Sequence, residues 1–201
     1  KLEGIGWYQY ELIRRWVKNH PTVDFHLFHD RKQPFLIEGE NVQNHIIPPP
    51  TRHPILWYIW FEFSLKKALK KLQPDVFFSP DGQIPLGLNT PVVTAIHDIN
   101  FERRPEDVPV VFRWYYQRFF PKFAAQADAL VTVSDFSKKE IGTAYQINPE
   151  KIHSIYNGVH DSYKPLSKTE IKEIQNKFTD RKPYILHVGA ILPRKNILGL
   201  M

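Results

Sequence analysis

Residues 92–98 read Val92-Val93-Thr94-Ala95-Ile96-His97-Asp98, a run of small and β-branched residues closed by an imidazole and a carboxylate. An apolar run without polar alternation marks a strand covered on both faces, as in a parallel sheet. Two further runs share that character: Asp75-Val76-Phe77-Phe78 before it and Ala129-Leu130-Val131-Thr132-Val133 after it. Helical periodicity fills 110–126 between the last two. Working outward, strands are expected at 23–28, 45–47 and 151–156, and helices at 4–19, 55–72 and 136–145. Strand alternating with helix predicts an α/β fold: a Rossmann-like parallel sheet with helices on both faces.

Local signals refine this. Ser137-Lys138-Lys139-Glu140 matches a capping box at the start of the 136–145 helix. The stripe Trp57, Tyr58, Trp60, Phe61 and Phe63 reads as core. Lys66, Lys67, Lys70 and Lys71 behind it read as a solvated or lipid-facing face. The turn Asn157-Gly158 precedes a change of character. The first domain is therefore expected over 1–160. Residues 161–201 then read as a linker, a charged helix over 168–178, a buried strand over 184–189 and the start of a helix at 196–201. That order suits a fragment of a second Rossmann-like domain. Gly4-Ile5-Gly6 opens a helix with no strand before it, so a first strand is expected to precede Lys1.

The chain has 201 residues, a formal charge of +6 and no cysteine, which excludes a disulfide framework and any cysteine-ligated zinc. No apolar run is long enough to span a bilayer. The nine histidines lack metal-ligand spacing, so no metal site is expected. A pI near 9.4 fits an anionic partner: nucleic acid, an anionic lipid surface or a phosphorylated substrate.

Several residues could carry chemistry. Gly4 and Gly6, at a helix start, would let the backbone approach a phosphate, although Gln9 replaces the third glycine of the dinucleotide fingerprint and the run taken alone reads rather as a plain turn. His97 and Asp98 follow a central strand at the carboxyl edge, where open α/β sheets bind ligands. The imidazole can give or take a hydrogen bond at neutral pH. Arg194 and Lys195, in Pro193-Arg194-Lys195-Asn196, suit a diphosphate or a solvated basic turn. Ser134 and Asn157 read first as a helix cap and a turn.

Taken in order, these motifs resemble the group 1 (family 4) glycosyltransferases. The resemblance rests on Gly4-Ile5-Gly6 with Tyr8 or Tyr10 nearby, and on His97-Asp98-Ile99-Asn100-Phe101 trailed by Pro105-Glu106. It also rests on 127–137 with its Val133-Ser134-Asp135-Phe136-Ser137, on Tyr156-Asn157-Gly158-Val159, and on Val188-Gly189 followed by Pro193 to Asn196. Two departures stand out: His160 occupies the place of the family's usual acid, and the chain ends before the family's Glu-x(7)-Glu motif. The resemblance implies a GT-B protein whose first domain faces the acceptor and whose second holds the nucleotide-sugar. It implies retention of anomeric configuration without a metal or other cofactor, the GDP- or UDP-linked sugar being a substrate. By the same carry-over, Arg194 and Lys195 stabilise the departing phosphates and His97 bonds the donor sugar. Gly4, Gly6, Asp98, Ser134, Asn157 and Gly189 line the substrates. The implied partners are a nucleotide-sugar donor, a glycan or lipid-linked acceptor and an anionic membrane face on the cytoplasmic side. The Pro-Arg-Lys-Asn form leans towards mannosyltransferases of bacterial surface polysaccharide. The remaining readings are a non-catalytic glycan- or nucleotide-binding module and a basic nucleic-acid binder, the latter without any recognition-helix or RNA-binding signature.

Overall fold

Each apolar run singled out in the first domain becomes a parallel strand. The computed structural model describes residues 4–33, 36–160, 162–189 and 191–201. In chain order these form α1 (Gly4–Asn19), β1 (Phe25–His29), β2 (Val42–Ile46), α2 (Pro54–Ile59), a π-helical turn at Trp60–Leu65, and α3 (Lys66–Leu72). There follow β3 (Phe77–Ser79), β4 (Val92–Ala95), α4 (Asn100–Arg103), α5 (Val110–Gln126), β5 (Ala129–Thr132), α6 (Asp135–Tyr145) and β6 (Ile152–Ser154). Strands β1 and β2 make one parallel pair; β3-β4-β5-β6 make a four-stranded parallel sheet. Val92 and Leu130 are sealed from solvent because helices cover both faces of these strands. The α/β, Rossmann-like reading therefore holds.

Two apolar clusters hold this unit together. One joins Val92, Ile96 and Leu130 of the sheet to Tyr115, Phe120 and Phe123 of α5. The other packs Trp60, Phe61, Leu65 and Leu69 with Phe28 and Phe77. Helix α1 lies over the strands, with Trp16 edge-on to Phe78 at 5.0 Å. The Asn41 side chain donates to the carbonyls of His20 and Val23, tying the end of α1 to the strand pair.

Three local expectations are corrected. The π-helical turn widens the helix by a residue per turn, so the aromatic stripe does not stay on one face. Trp60 and Phe61 are buried, whereas Tyr58 and Phe63 point to solvent. Lys66 is not part of an open basic face: its Nζ donates to the Leu86 carbonyl and pairs with Glu62 at 3.5 Å. The capping box at Ser137–Glu140 does not form: α6 is capped by Ser134, the other serine read as a cap, whose Oγ accepts from the Ser137 amide at 3.1 Å. Glu140 instead takes an ion pair from Arg103 at 2.9 Å.

The chain parts into two units, Lys1–Asn157 and Gly158–Met201. The second contains α7 (Lys168–Phe178), closed at its start by a full capping box between Ser167 and Glu170. After it come a 3-10 turn at Pro193–Lys195 and α8 (Ile197–Leu200). The strand expected over 184–189 does not form among the described residues: Ile185, Leu186 and Val188 are exposed and no ladder includes them. A doubly covered parallel strand needs a neighbouring strand and a helix layer, and the described part of this unit offers no strand. Residue 161, the start of the expected linker, and the Arg194 side chain lie outside the described residues.

Candidate active site

The carboxyl edge of β3 and β4 is where the first unit gathers its polar groups. His97, just past β4, is half-buried. Its Nε2 lies 2.9 Å from the Pro80 carbonyl. A carbonyl only accepts, so Nε2 carries the proton and Nδ1 remains as the ring's other hydrogen-bonding atom. The ring of Tyr8, from the second turn of α1, stands perpendicular to the imidazole at a ring separation of 4.6 Å. Burial pushes the Tyr8 phenol above its usual range, so it stays neutral. Thr132 Oγ donates to the His97 carbonyl at 3.4 Å and ties it to β5. Gly6 and Pro80 line one cavity. The glycine turn and the histidine thus share one edge of the fold.

Asp98 is exposed, and its Oδ1 accepts from the Asn100 amide at 3.0 Å, opening α4. Ser134 spends its hydroxyl on the α6 cap. The neighbouring Asp135 carboxylate accepts from the Ser154 hydroxyl and from Tyr156 at 3.0 Å, and those bonds hold it below the usual carboxylate range. Asn157 is exposed at the end of the first unit. Gly4 stands at the start of α1, where an added Cβ would meet nothing within 4 Å; packing does not demand a glycine there. Gly189, Arg194 and Lys195 belong to the second unit, the last two within its 3-10 turn.

Sequence reasoning passed over the loop that holds His97. Ser79 Oγ donates to the Gln83 carbonyl at 2.6 Å and lies 3.1 Å from Asp81 Oδ1. The Gln83 amide donates to the same carboxylate, and Tyr115 OH donates to Gln83 Oε1 at 3.0 Å. Burial pushes the Asp81 carboxyl above its usual range, against the pull of these bonds and of His97. The run Pro80-Asp81-Gly82 straight after a strand was the available signal, a turn at the ligand-bearing edge.

The raised Asp81 value sets a sign. The folded state holds this proton more tightly than the unfolded chain, so stability is lost as pH rises from the unfolded carboxylate value through the folded one. Asp81→Asn keeps an acceptor for Ser79 and Gln83 but removes the buried charge. Its melting temperature should exceed that of the parent at pH 7, with the gap closing towards pH 4. Thermal unfolding of both proteins over that range checks this.

Residues 2–163 match Glycosyltransferase Family 4, and the chain belongs to that family. It is 27% identical over 214 residues to the O-antigen chain mannosyltransferase B of Escherichia coli, covering all of this chain and 55% of that protein. It is 31% identical over 147 residues to the O-antigen chain mannosyltransferase RfbU of Salmonella typhimurium LT2, covering 72% of this chain and 37% of that protein. The chain thus spans about half or less of the length of these curated relatives. No helix among the described residues is long and apolar enough to cross a membrane.

Proposed function

We propose that this chain supplies the acceptor-facing half of a retaining glycosyltransferase that moves a hexose, in our reading mannose, from a GDP- or UDP-linked donor to a growing O-antigen-type glycan. The observation that carries the reading is the family match over 2–163 together with His97 standing beside α1 at the carboxyl edge of the sheet. The names of the two relatives support the sugar and the pathway class. In this reading residues 1–160 face the acceptor, and 161–201 open the donor-binding domain. The His97 ring bonds the donor sugar, Gly4 and Gly6 offer amides to the diphosphate, and Asp98, Ser134, Asn157 and Gly189 shape the walls. Arg194 and Lys195 offset the charge that grows on the leaving diphosphate, so catalysis needs no metal. The chain alone is expected to be inactive. The test is a donor screen of the full-length protein against GDP- and UDP-sugars: one donor should be turned over in the presence of chelator. Turnover of none sinks the enzyme reading.

We further propose that the acceptor is lipid-linked and that the first unit rests on the anionic inner face of the cytoplasmic membrane. Ile55, Tyr58 and Phe63 of the 54–72 helix and Val110 and Trp114 of α5 are exposed. Phe119 bridges them, 5.5 Å from Tyr58 and 6.1 Å from Trp114, with Lys122 over its ring. Lys67, Lys70, Lys71 and Arg118 are exposed nearby along the same helices. Aromatic and aliphatic tips mixed with cations suit the interface of an anionic bilayer. The protein should sediment with phosphatidylglycerol-rich vesicles, and replacing Lys67, Lys70 and Lys71 by serine should weaken binding on the order of 100-fold, at about 1 kcal/mol per cation. Equal affinity for neutral vesicles, or none for either, contradicts it.

A further inference from the structure

With Asp81 ionised, the loop that holds His97 would have one hydrogen too few for its acceptors. Ser79 Oγ lies 2.6 Å from the Gln83 carbonyl and 3.1 Å from Asp81 Oδ1. A hydroxyl has one hydrogen to give, while a carbonyl and an ionised carboxylate only accept. The shorter contact takes the Ser79 hydrogen. The contact to Asp81 is then a hydrogen bond only if Oδ1 brings a hydrogen of its own. As the hydroxyl of a carboxylic acid, Oδ1 gives that hydrogen to Ser79 and still accepts from the Gln83 amide at 3.3 Å. Ser79 and Gln83 are buried, which makes an unmatched acceptor there costly. Asp81 is half-buried, so its proton can exchange with solvent. Pro80 sits inside this bridge. Thr94 Oγ1 donates to the Ser79 carbonyl on one side, and Asp81 closes back on Ser79 on the other. Those bonds fix the turn at Pro80, whose carbonyl takes the His97 Nε2 hydrogen. Tyr115 OH donates to Gln83 Oε1 and anchors the far end of the loop to α5.

We propose that Asp81 is a positioning residue for sugar transfer: as a neutral acid it locks Ser79, Pro80 and Gln83 together and so aims His97, and on losing its proton it releases them. The ionised carboxylate would draw the Ser79 hydrogen to itself and leave the Gln83 carbonyl unmatched. The proposal rests on the reading that His97 meets the donor sugar. The groups facing Asp81 are His97 beyond β4 and Tyr115 and Tyr116 of α5, with Glu62 of the 54–72 helix behind Tyr115. Burial pushes both phenols above their usual range, so they stay neutral, and Glu62 is already paired with Lys66. Burial likewise favours the neutral form of Asp81, whereas a charged His97 would oppose it. The proton is present at low pH and is lost as pH rises through the raised folded value, so the effect is an alkaline loss of alignment.

The test follows the full-length protein from about pH 5 to 9 by ¹³C NMR of the Asp81 carboxyl, ¹⁵N NMR of the His97 ring, and sugar transfer. In the parent the carboxyl should titrate above the ordinary carboxylate range, and the Nε2–H form of His97 should give way to mixed tautomers in the same step. Across that step kcat should fall about tenfold, while the KM for acceptor moves less than about twofold. Asp81→Asn, whose amide carries both an N–H and an oxygen, should keep the Nε2–H form throughout and lack the alkaline fall. Ser79→Ala, which leaves Asp81 nothing to bridge, should show mixed tautomers and the lower kcat at every pH. A carboxyl that titrates in the ordinary range, a His97 ring indifferent to that step, or an alkaline fall that survives in Asp81→Asn overturns the proposal. If either variant does not fold, the two titrations of the parent decide. Failure of the transferase reading looks different: the parent would turn over no nucleotide-sugar, yet carboxyl and ring would still titrate together.

Discussion

His97→Ala in the full-length protein is expected to lower sugar transfer on the order of 10²- to 10³-fold, the size of loss seen when one preorganised hydrogen-bonding group at a reacting centre is removed. The expectation follows from how the ring is held. Its Nε2 proton is committed to the Pro80 carbonyl, and Tyr8 packs perpendicular to the ring. The ring is thereby fixed in tautomer and orientation before any ligand arrives, and Nδ1 is the acceptor that the proposed sugar contact would use. His97→Gln separates the two roles. A glutamine amide can still donate to Pro80, so this variant should unfold at the parental temperature yet transfer sugar nearly as poorly as the alanine variant. The loss should fall on kcat more than on the KM for acceptor. If both variants keep at least a tenth of parental activity, His97 does not touch the donor in the transition state.

Gly82→Ala is expected to destabilise the first unit by roughly 2–4 kcal/mol, summing a left-handed backbone penalty and an overpacked contact. Gly82 sits at φ +87, a conformation that a side chain resists. An added Cβ would lie 2.9 Å from Phe120 Cε1, and Phe120 is itself buried in the main cluster and cannot easily retreat. In a protein of this size the melting temperature should fall on the order of 4–15 °C. The same loop carries Pro80 and Asp81, so the surviving folded fraction should also show a shifted His97 ring by ¹⁵N NMR. A variant that melts with the parent and leaves that resonance in place would show that the turn tolerates a side chain.

Much of the first unit was legible in the chain because its signals are local. The helix expected over 110–126 forms at those residues, Pro121 inside it notwithstanding, since a helix-length segment between two buried strands has few competing arrangements. The position of His97 at a strand end was legible for the same reason: an apolar run that stops at an imidazole puts it at the sheet edge. The sequence offered two caps for α6, Ser134 and a box at Ser137–Glu140, and only the packed helix decides that the Ser134 hydroxyl is the one outside its first turn. Of the Asp81 cluster only the turn Pro80-Asp81-Gly82 was legible. Its partners Ser79, Gln83, Tyr115 and His97 are spread over nearly forty positions, and no spacing rule links them.

By itself, then, the sequence determined the order of elements, the parallel character of the strands and the family, because hydrophobic period and short motifs are properties of neighbouring residues. Tertiary structure alone decided which aromatic rings turn outward after the π-helical turn, that Lys66 is drawn inward to Leu86, that 184–189 finds no ladder among the described residues, and that an apolar cavity lies between β1 and β3. Each of these depends on what stands across from a residue in space, and burial and hydrogen-bond pairing are set by that neighbour rather than by the residue's own preference.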